Sequence, residues 1–247
     1  MIPISIIVTP LLLVFIISMF TPALNVFFVK LLFEASEYAA PENIESIRNE
    51  VNVIKDINYG DETLDIYFPR DSNGILPAIM WIHGGGFVSD SKEDTKDYGM
   101  ILANEGYVVA NINYTIAPTK AYPTPIIQAN QALKYLQENV VKYHGDHMGK
   151  VFIGGDSAGA QIASQVSAII TNDELAKAMD INPAIDKEQL KGALLYCGLY
   201  DMDLMVGSEK EPSAFLKYFK QSTFLAYTGV KDFGTFEKID EMSTVKP

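Results

Sequence analysis

The amino-acid sequence predicts an α/β domain: a mostly parallel sheet with helices on both faces. Apolar, β-prone runs alternate with segments of helical periodicity from Val51 to Cys197. Two of those runs, Leu76 to Ile82 and Lys150 to Gly154, lead directly into the glycine-rich strings His83-Gly84-Gly85-Gly86-Phe87 and Gly155-Asp156-Ser157-Ala158-Gly159. The chain has 247 residues and 48% hydrophobic content, enough for one large domain with a sizeable core and a tail or anchor.

The elements follow in order. Residues 1–33 read as a membrane anchor and juxtamembrane segment, because Met1 to Val29 carries no charged side chain. The apolar core Ile4 to Phe20 approaches the ~20 residues that cross a bilayer as a helix, and Pro10 is tolerated there better than in water. The expected location is therefore a membrane, with a single pass. A cleaved signal fits less well, since no Lys or Arg precedes the core and no small-x-small site follows it. A buried cap helix is the third reading. Lys30, with Glu34 and Glu37 close by, does not set which side holds the domain.

Residues 34–50 form a linker or short helix, and residues 51–247 the α/β domain. Val51 to Ile54 and Leu64 to Phe68 read as antiparallel strands joined through Tyr59-Gly60-Asp61. The nearly unbroken apolar run Leu76 to Ile82 suits a strand buried on both faces. Asp94 to Glu105 reads as a helix ended by Gly106, and Tyr107 to Tyr114 as a strand. Pro123 to Tyr143 is a long amphipathic helix with Ala132, Leu133, Tyr135 and Leu136 toward the sheet. After the Lys150–Gly154 strand, Ser157 opens a helix through Ile162, Val166 and Ile169, and Leu190 to Cys197 is a further strand. Residues 200–236 are rich in Phe and Tyr. They read as a helical, lid-like insertion, either packing its own small core or covering an apolar pocket.

Composition narrows the chemistry. The net charge of −12, from 31 acidic against 19 basic residues, argues against a nucleic-acid partner. The single cysteine, Cys197, excludes an internal disulfide, and its apolar setting predicts a buried thiol. No metal or organic cofactor is expected: His144 and His147 lack a supporting cluster.

The string around Ser157 fits a nucleophile on a sharp strand-to-helix turn. Gly155, Ala158 and Gly159 keep the turn free of clashing side chains, and the helix head favours developing negative charge. The bland alternative is a plain turn with Ser157 as N-cap. Gly84, Gly85 and Gly86 follow a buried strand, so they belong at the same carboxyl edge of the sheet. Their bare backbone lets N–H groups face a cavity, and Gly85, Gly86 and Ala158 are the expected oxyanion donors. The triplet is not a G-x-G-x-x-G pattern, so nucleotide binding is disfavoured. Together the two strings point to acyl transfer.

These residues, with Asn113-Tyr114-Thr115-Ile116-Ala117-Pro118 through Tyr122-Pro123, make the chain resemble the α/β-hydrolases of the hormone-sensitive-lipase-like esterase group. It is similar in particular to membrane-anchored bacterial α/β-hydrolases. The resemblance implies attack by Ser157 on an ester carbonyl and an acyl-enzyme. It implies an oxyanion hole from Gly85, Gly86 and Ala158, and a small-molecule ester as substrate. By the same likeness His83 holds a loop, and Asp156 is not the triad acid.

In this fold the triad runs nucleophile, acid, histidine. No histidine follows Ser157. His144 and His147 sit at the amino end of the following strand, roughly 15–20 Å from its other end. Asp201 and Asp203 read as solvated loop residues. The expectation is a C-terminally incomplete hydrolase, with its last strands and its triad acid and histidine absent. The alternatives are an amide or peptide hydrolase of the same fold and a membrane-tethered, non-catalytic pseudohydrolase.

Overall fold

The computed structural model describes residues 26, 27, 29, 30, 40–72, 74–146, 148–207 and 213–245. Helix α1 (Ile44–Glu50) leads into β1 (Val51–Asn58) and β2 (Thr63–Pro69), which pair antiparallel as predicted. Next come β3 (Ala78–Ile82), α2 (Lys96–Asn104), β4 (Val108–Ile112), α3 (Thr124–Asn139) and β5 (Val151–Asp156). Helices α4 (Ala158–Thr171) and α5 (Asp173–Ala178) precede β6 (Leu190–Tyr196). Helices α6 (Met202–Gly207), α7 (Ala214–Thr228) and α8 (Ile239–Met242) follow it.

The strand order is β1-β2-β4-β3-β5-β6. Strands β4, β3, β5 and β6 are parallel, while β2 runs antiparallel to both β1 and β4, so the sheet is mixed. Alternation along β3 divides the core. Ala78, Met80 and Ile82 pack with Ile126, Ala129 and Leu133 of α3 and Ile162 and Val166 of α4. Ile79 and Trp81 pack on the other face with Ile44 and Ile47 of α1 and Met100 and Ala103 of α2. A strand covered on both faces needs apolar residues at every position, which is why Leu76 to Ile82 shows no alternation in sequence.

Three expectations are corrected. The helix after Pro123 stops at Asn139, and a single 3-10 turn, Val140–Tyr143, carries the chain to a left-handed His144. Tyr135 packs against the core beside Ala132, Leu133 and Leu136 as predicted, half-buried, its hydroxyl 2.7 Å from that of Tyr143. Cys197 is exposed, not buried, and has a φ of +54°. It lies where the chain leaves β6, and among the described residues β6 pairs with β5 alone, so an apolar run there does not mean burial on both faces. The segment after Tyr200 does not form a separate core: Met202, Phe224, Ala226 and Tyr227 join the main cluster with Phe87 and Tyr122.

At the N-terminus, Val26 and Val29 are buried in that same cluster, whereas Phe27 is exposed. This part of the segment read as juxtamembrane thus has one face on the domain. No described helix is long and apolar enough to cross a membrane, and the predicted span Ile4 to Phe20 lies outside the described residues.

Leu133 is fully buried between α3 and the sheet. Truncating it leaves a cavity that a close-packed core fills only in part. Leu133→Ala is expected to lower stability by about 2–5 kcal/mol. Urea unfolding should show a lower midpoint with an unchanged m-value.

Candidate active site

The parallel register of β3 and β5 sets Ile82 level with Gly155. His83 and Ser157 therefore leave the same edge of the sheet. Ser157 has φ +50° and ψ −115°, a conformation that residues with a side chain seldom adopt. Such a position costs about 1–3 kcal/mol and persists only where the surroundings enforce it. Here they do. The Ser157 amide donates to the Tyr196 carbonyl of β6 at 2.7 Å, and its own carbonyl accepts the first α4 bond from Gln161 at 3.2 Å. Ser157 is exposed at the head of the 14-residue helix α4.

The turn also packs backbone on backbone. A Cβ at Gly159 would overlap the carbonyl oxygens of Ile82 and His83, and one at Gly155 would lie 2.6 Å from the Ile82 oxygen. The serine turn is thus seated on the end of β3, directly beside the glycine triplet. From the other side, a Cβ at Gly84 would overlap the Asp156 carboxylate.

Gly85 has φ +80°, a left-handed backbone that glycine adopts without strain. Its carbonyl accepts the amides of Val88 at 3.0 Å and Ser89 at 2.9 Å, which turns the chain back on itself. Gly86 and Phe87 follow at φ +57° and +65°. Among the described residues, the amides of Gly85, Gly86 and Ala158 donate no hydrogen bond. Unoccupied donors held near an exposed hydroxyl are what a developing oxyanion requires.

Several groups hold this loop. Tyr114, two residues beyond β4, donates its hydroxyl to the Gly84 carbonyl at 2.7 Å. Ala117 donates its amide to Phe87 O at 2.8 Å. The Phe87 ring lies flat on that of Tyr227 in α7, with centroids 3.9 Å apart. Reasoning from sequence missed the roles of Tyr114 and Tyr227. Tyr114 is findable, since it follows a strand parallel to β3 and so reaches the same edge. Tyr227 gives no signal, because a helix face shows its partner only after folding.

The histidines are distributed as follows. His83 is buried, stacked on Tyr114 with centroids 4.3 Å apart, its Nδ1 3.2 Å from the Gly84 carbonyl. Burial pushes its pKa down to about 4, against the pull of that carbonyl, so the ring is neutral at pH 7. His144 is exposed at the opposite edge, where its carbonyl accepts from Leu76 ahead of β3. His147 lies outside the described residues.

Asp156 is largely buried, and its Oδ1 has no hydrogen-bond partner among the described residues. Burial, then the charge of Asp90, push its pKa up to about 6, opposed by its own amide and that of Gly84. Asp201 accepts the amides of Asp203 at 3.0 Å and Leu204 at 3.4 Å, at the start of α6. Among the described residues, no group of three His, Cys, Asp or Glu could hold a metal ion.

Comparisons with known proteins place this geometry. The sequence profile of the family described as BD-FAE matches residues 64–242. The chain is 26% identical to the kynurenine formamidase of Danio rerio over 202 residues, covering 75% of this chain and 64% of that protein. It is 30% identical to the isoprenylcysteine alpha-carbonyl methylesterase of Arabidopsis thaliana over 115 residues, covering 45% of this chain and 27% of that one. Among solved structures, esterase B of Lactobacillus rhamnosis superposes with a TM-score of 0.67 at 20% identity, over 84% of this chain and 62% of that one. An esterase of Pyrobaculum calidifontis gives 0.61 at 24%, over 89% and 68%. These likenesses show the α/β-hydrolase fold. The chain spans less than two thirds of the length of the first of these relatives.

The two buried titratable groups oppose each other with pH. His83, lowered when folded, contributes stability above its unfolded value near 6.5 that is lost as pH falls toward 4. Asp156, raised when folded, contributes stability present at low pH that is lost as pH rises through about 6. Asp156→Asn removes only the second. Its unfolding free energy relative to wild type is expected to grow by about 2–3 kcal/mol from pH 4 to pH 7. Urea denaturation of both proteins across that range is the measurement, and a pH-independent difference would contradict the assignment.

Proposed function

The chain belongs to the BD-FAE family, and on that premise we propose that it is a serine hydrolase acting on small carboxylic esters. The observation that carries this reading is the pairing of an exposed, backbone-strained Ser157 with the unoccupied amides of Gly85, Gly86 and Ala158. Ser157 Oγ attacks the ester carbonyl, and the carbonyl oxygen becomes an oxyanion between those three donors. Collapse expels the alcohol and leaves an acyl group on Ser157, which water then removes. An oxyanion donor of this kind is worth about 3–4 kcal/mol in the transition state.

The hydroxyl proton needs an acceptor. The chain has no histidine after Ser157, His83 is occupied with Tyr114 and Gly84, and His144 stands at the other edge. In this proposal no histidine of the chain serves as the general base. This polypeptide alone is then expected to acylate slowly, with the oxyanion hole and binding supplying the residual rate. A membrane-tethered pseudohydrolase that only binds a ligand is the limiting case.

A second reading is favoured by a specific finding: two relatives are kynurenine formamidases, so cleavage of an amide bond on the same framework competes with ester cleavage. We also propose that residues 1–33 tether the domain to a lipid bilayer, on the strength of the uncharged run Met1 to Val29. Helix α7, stacked on Phe87 through Tyr227, is the proposed cover of the acyl pocket.

A fluorophosphonate probe is expected to label this chain slowly and on Ser157 alone, with Ser157→Ala unlabelled and Gly85→Ala labelled at least tenfold more slowly. Peptide mapping by mass spectrometry reads the site. Labelling elsewhere, or undiminished labelling of Ser157→Ala, would remove the serine mechanism. Turnover of an aryl acetate against the matching anilide separates ester from amide preference. For the tether, the intact chain should stay with membranes through an alkaline wash. Its recovery in the soluble fraction would count against an anchor.

A further inference from the structure

Eight residues beyond Gly84 the same loop is fastened to the far side of the sheet. Lys92 is almost completely buried, and so is Asp65 of β2. The Lys92 ammonium lies 2.6 Å from Asp65 Oδ1 and 2.8 Å from Asp56 Oδ1, with Glu93 at 3.7 Å. Each partner is itself placed. Asp65 Oδ1 also accepts the Asp56 amide at 2.9 Å, and its Oδ2 accepts the Tyr67 hydroxyl at 3.2 Å. The register of β1 slips between Ile54 and Ile57, and Asp56 takes φ +57° within that slip. Such a bulge re-aims a side chain, here toward Lys92. The Lys92 backbone is held too: its amide donates to Asn113 Oδ1 at 2.8 Å, and its carbonyl accepts from Asn111 Nδ2 at 2.7 Å.

The connection back to the glycines is short and tight. The amides of Val88 and Ser89 turn in on the Gly85 carbonyl. A Cβ at Gly85 would overlap the Ser89 carbonyl and lie 2.9 Å from Asp90 Cβ, so the peptide of Gly85 rests on the Ser89–Asp90 backbone. Burying a cation adds little stability over an apolar side chain of similar volume. What it supplies is direction, because each hydrogen bond fixes an angle as well as a distance.

We propose that Lys92 is a positioning residue: clamped between Asp65 and Asp56, it holds the loop so that the Gly85 and Gly86 amides face an oxyanion formed at Ser157. The proposal rests on the hydrolase reading and extends it to a cluster two strands away along the sheet, on β1 and β2. Lys92 touches no reacting atom and acts through the loop backbone.

The test uses the full chain and a fluorophosphonate probe. Three variants are compared with wild type: Asp56→Asn, the charge-neutral double variant Lys92→Met with Asp65→Asn, and Leu133→Ala as a stability control. The double variant avoids stranding one buried charge. The expected result is a labelling rate at saturating probe at least tenfold lower in the double variant. Half-saturation should stay within twofold, and Asp56→Asn should be intermediate. Amide exchange should quicken at least tenfold at Val88 and Ser89, which donate to the Gly85 carbonyl, and stay unchanged in β3 and β5. Leu133→Ala, though destabilised, should keep the wild-type saturating rate. A saturating rate within twofold of wild type in the double variant, or unchanged exchange at Val88 and Ser89, overturns the proposal and leaves the hydrolase reading intact. An equal loss of rate in Leu133→Ala overturns it as well. Wild-type protein unlabelled at Ser157 overturns the hydrolase reading, and the proposal with it.

Discussion

The contact on which the site depends is between two stretches of backbone. The turn carrying Ser157 sits on the last carbonyls of β3, with no room for a side chain at Gly159. That approach brings the helix head at Ser157 to the loop whose Gly85 and Gly86 amides donate no hydrogen bond among the described residues. It rests in turn on the register of β3 and β5, which sets Ile82 against Gly155. A one-residue slip in that pairing would turn every side chain of β5 to the opposite face and separate the two turns. The buried core on both sides of the sheet holds the register, so the packing of Ile82, Ile153 and Ile162 is part of the site's construction.

Beneath the loop lies a polar layer: His83 against Tyr114, Tyr114 on the Gly84 carbonyl, Asp156 beside Gly84. An apolar filling would be easier to bury, since a buried polar group is costly unless paired. A polar layer fixes the loop's backbone in direction, because each hydrogen bond sets an angle as well as a distance. The same logic runs outward through Asn111, Asn113 and Lys92, so the loop is held from below and from behind.

Much of this was legible in the sequence. The glycine strings marked both turns, because only residues without side chains allow backbone to meet backbone there. The doubly buried strand Leu76 to Ile82 was visible as an unbroken apolar run, and the β1–β2 pair as alternation around a glycine turn. Other features were not legible. Cys197 sits in a run that looks like core, yet burial at a sheet edge depends on which strand lies beside it. The aromatic residues after Tyr200 looked like a separate cluster, but Phe224 and Tyr227 join the main core. Lys92 and Asp65, 27 residues apart, carry no local pattern that announces their pairing.

Local chemistry alone therefore determined the α/β class, the two turns, and which residue carries the hydroxyl. Those features follow from short-range constraints: strand periodicity, glycine's freedom at positive φ, and the need for small residues where a strand enters a helix. Tertiary structure decided which amides were left free, which histidine was buried and neutral, and which distant charges hold the loop. Such outcomes depend on through-space distances and on water exclusion, and those exist only after the sheet has been assembled.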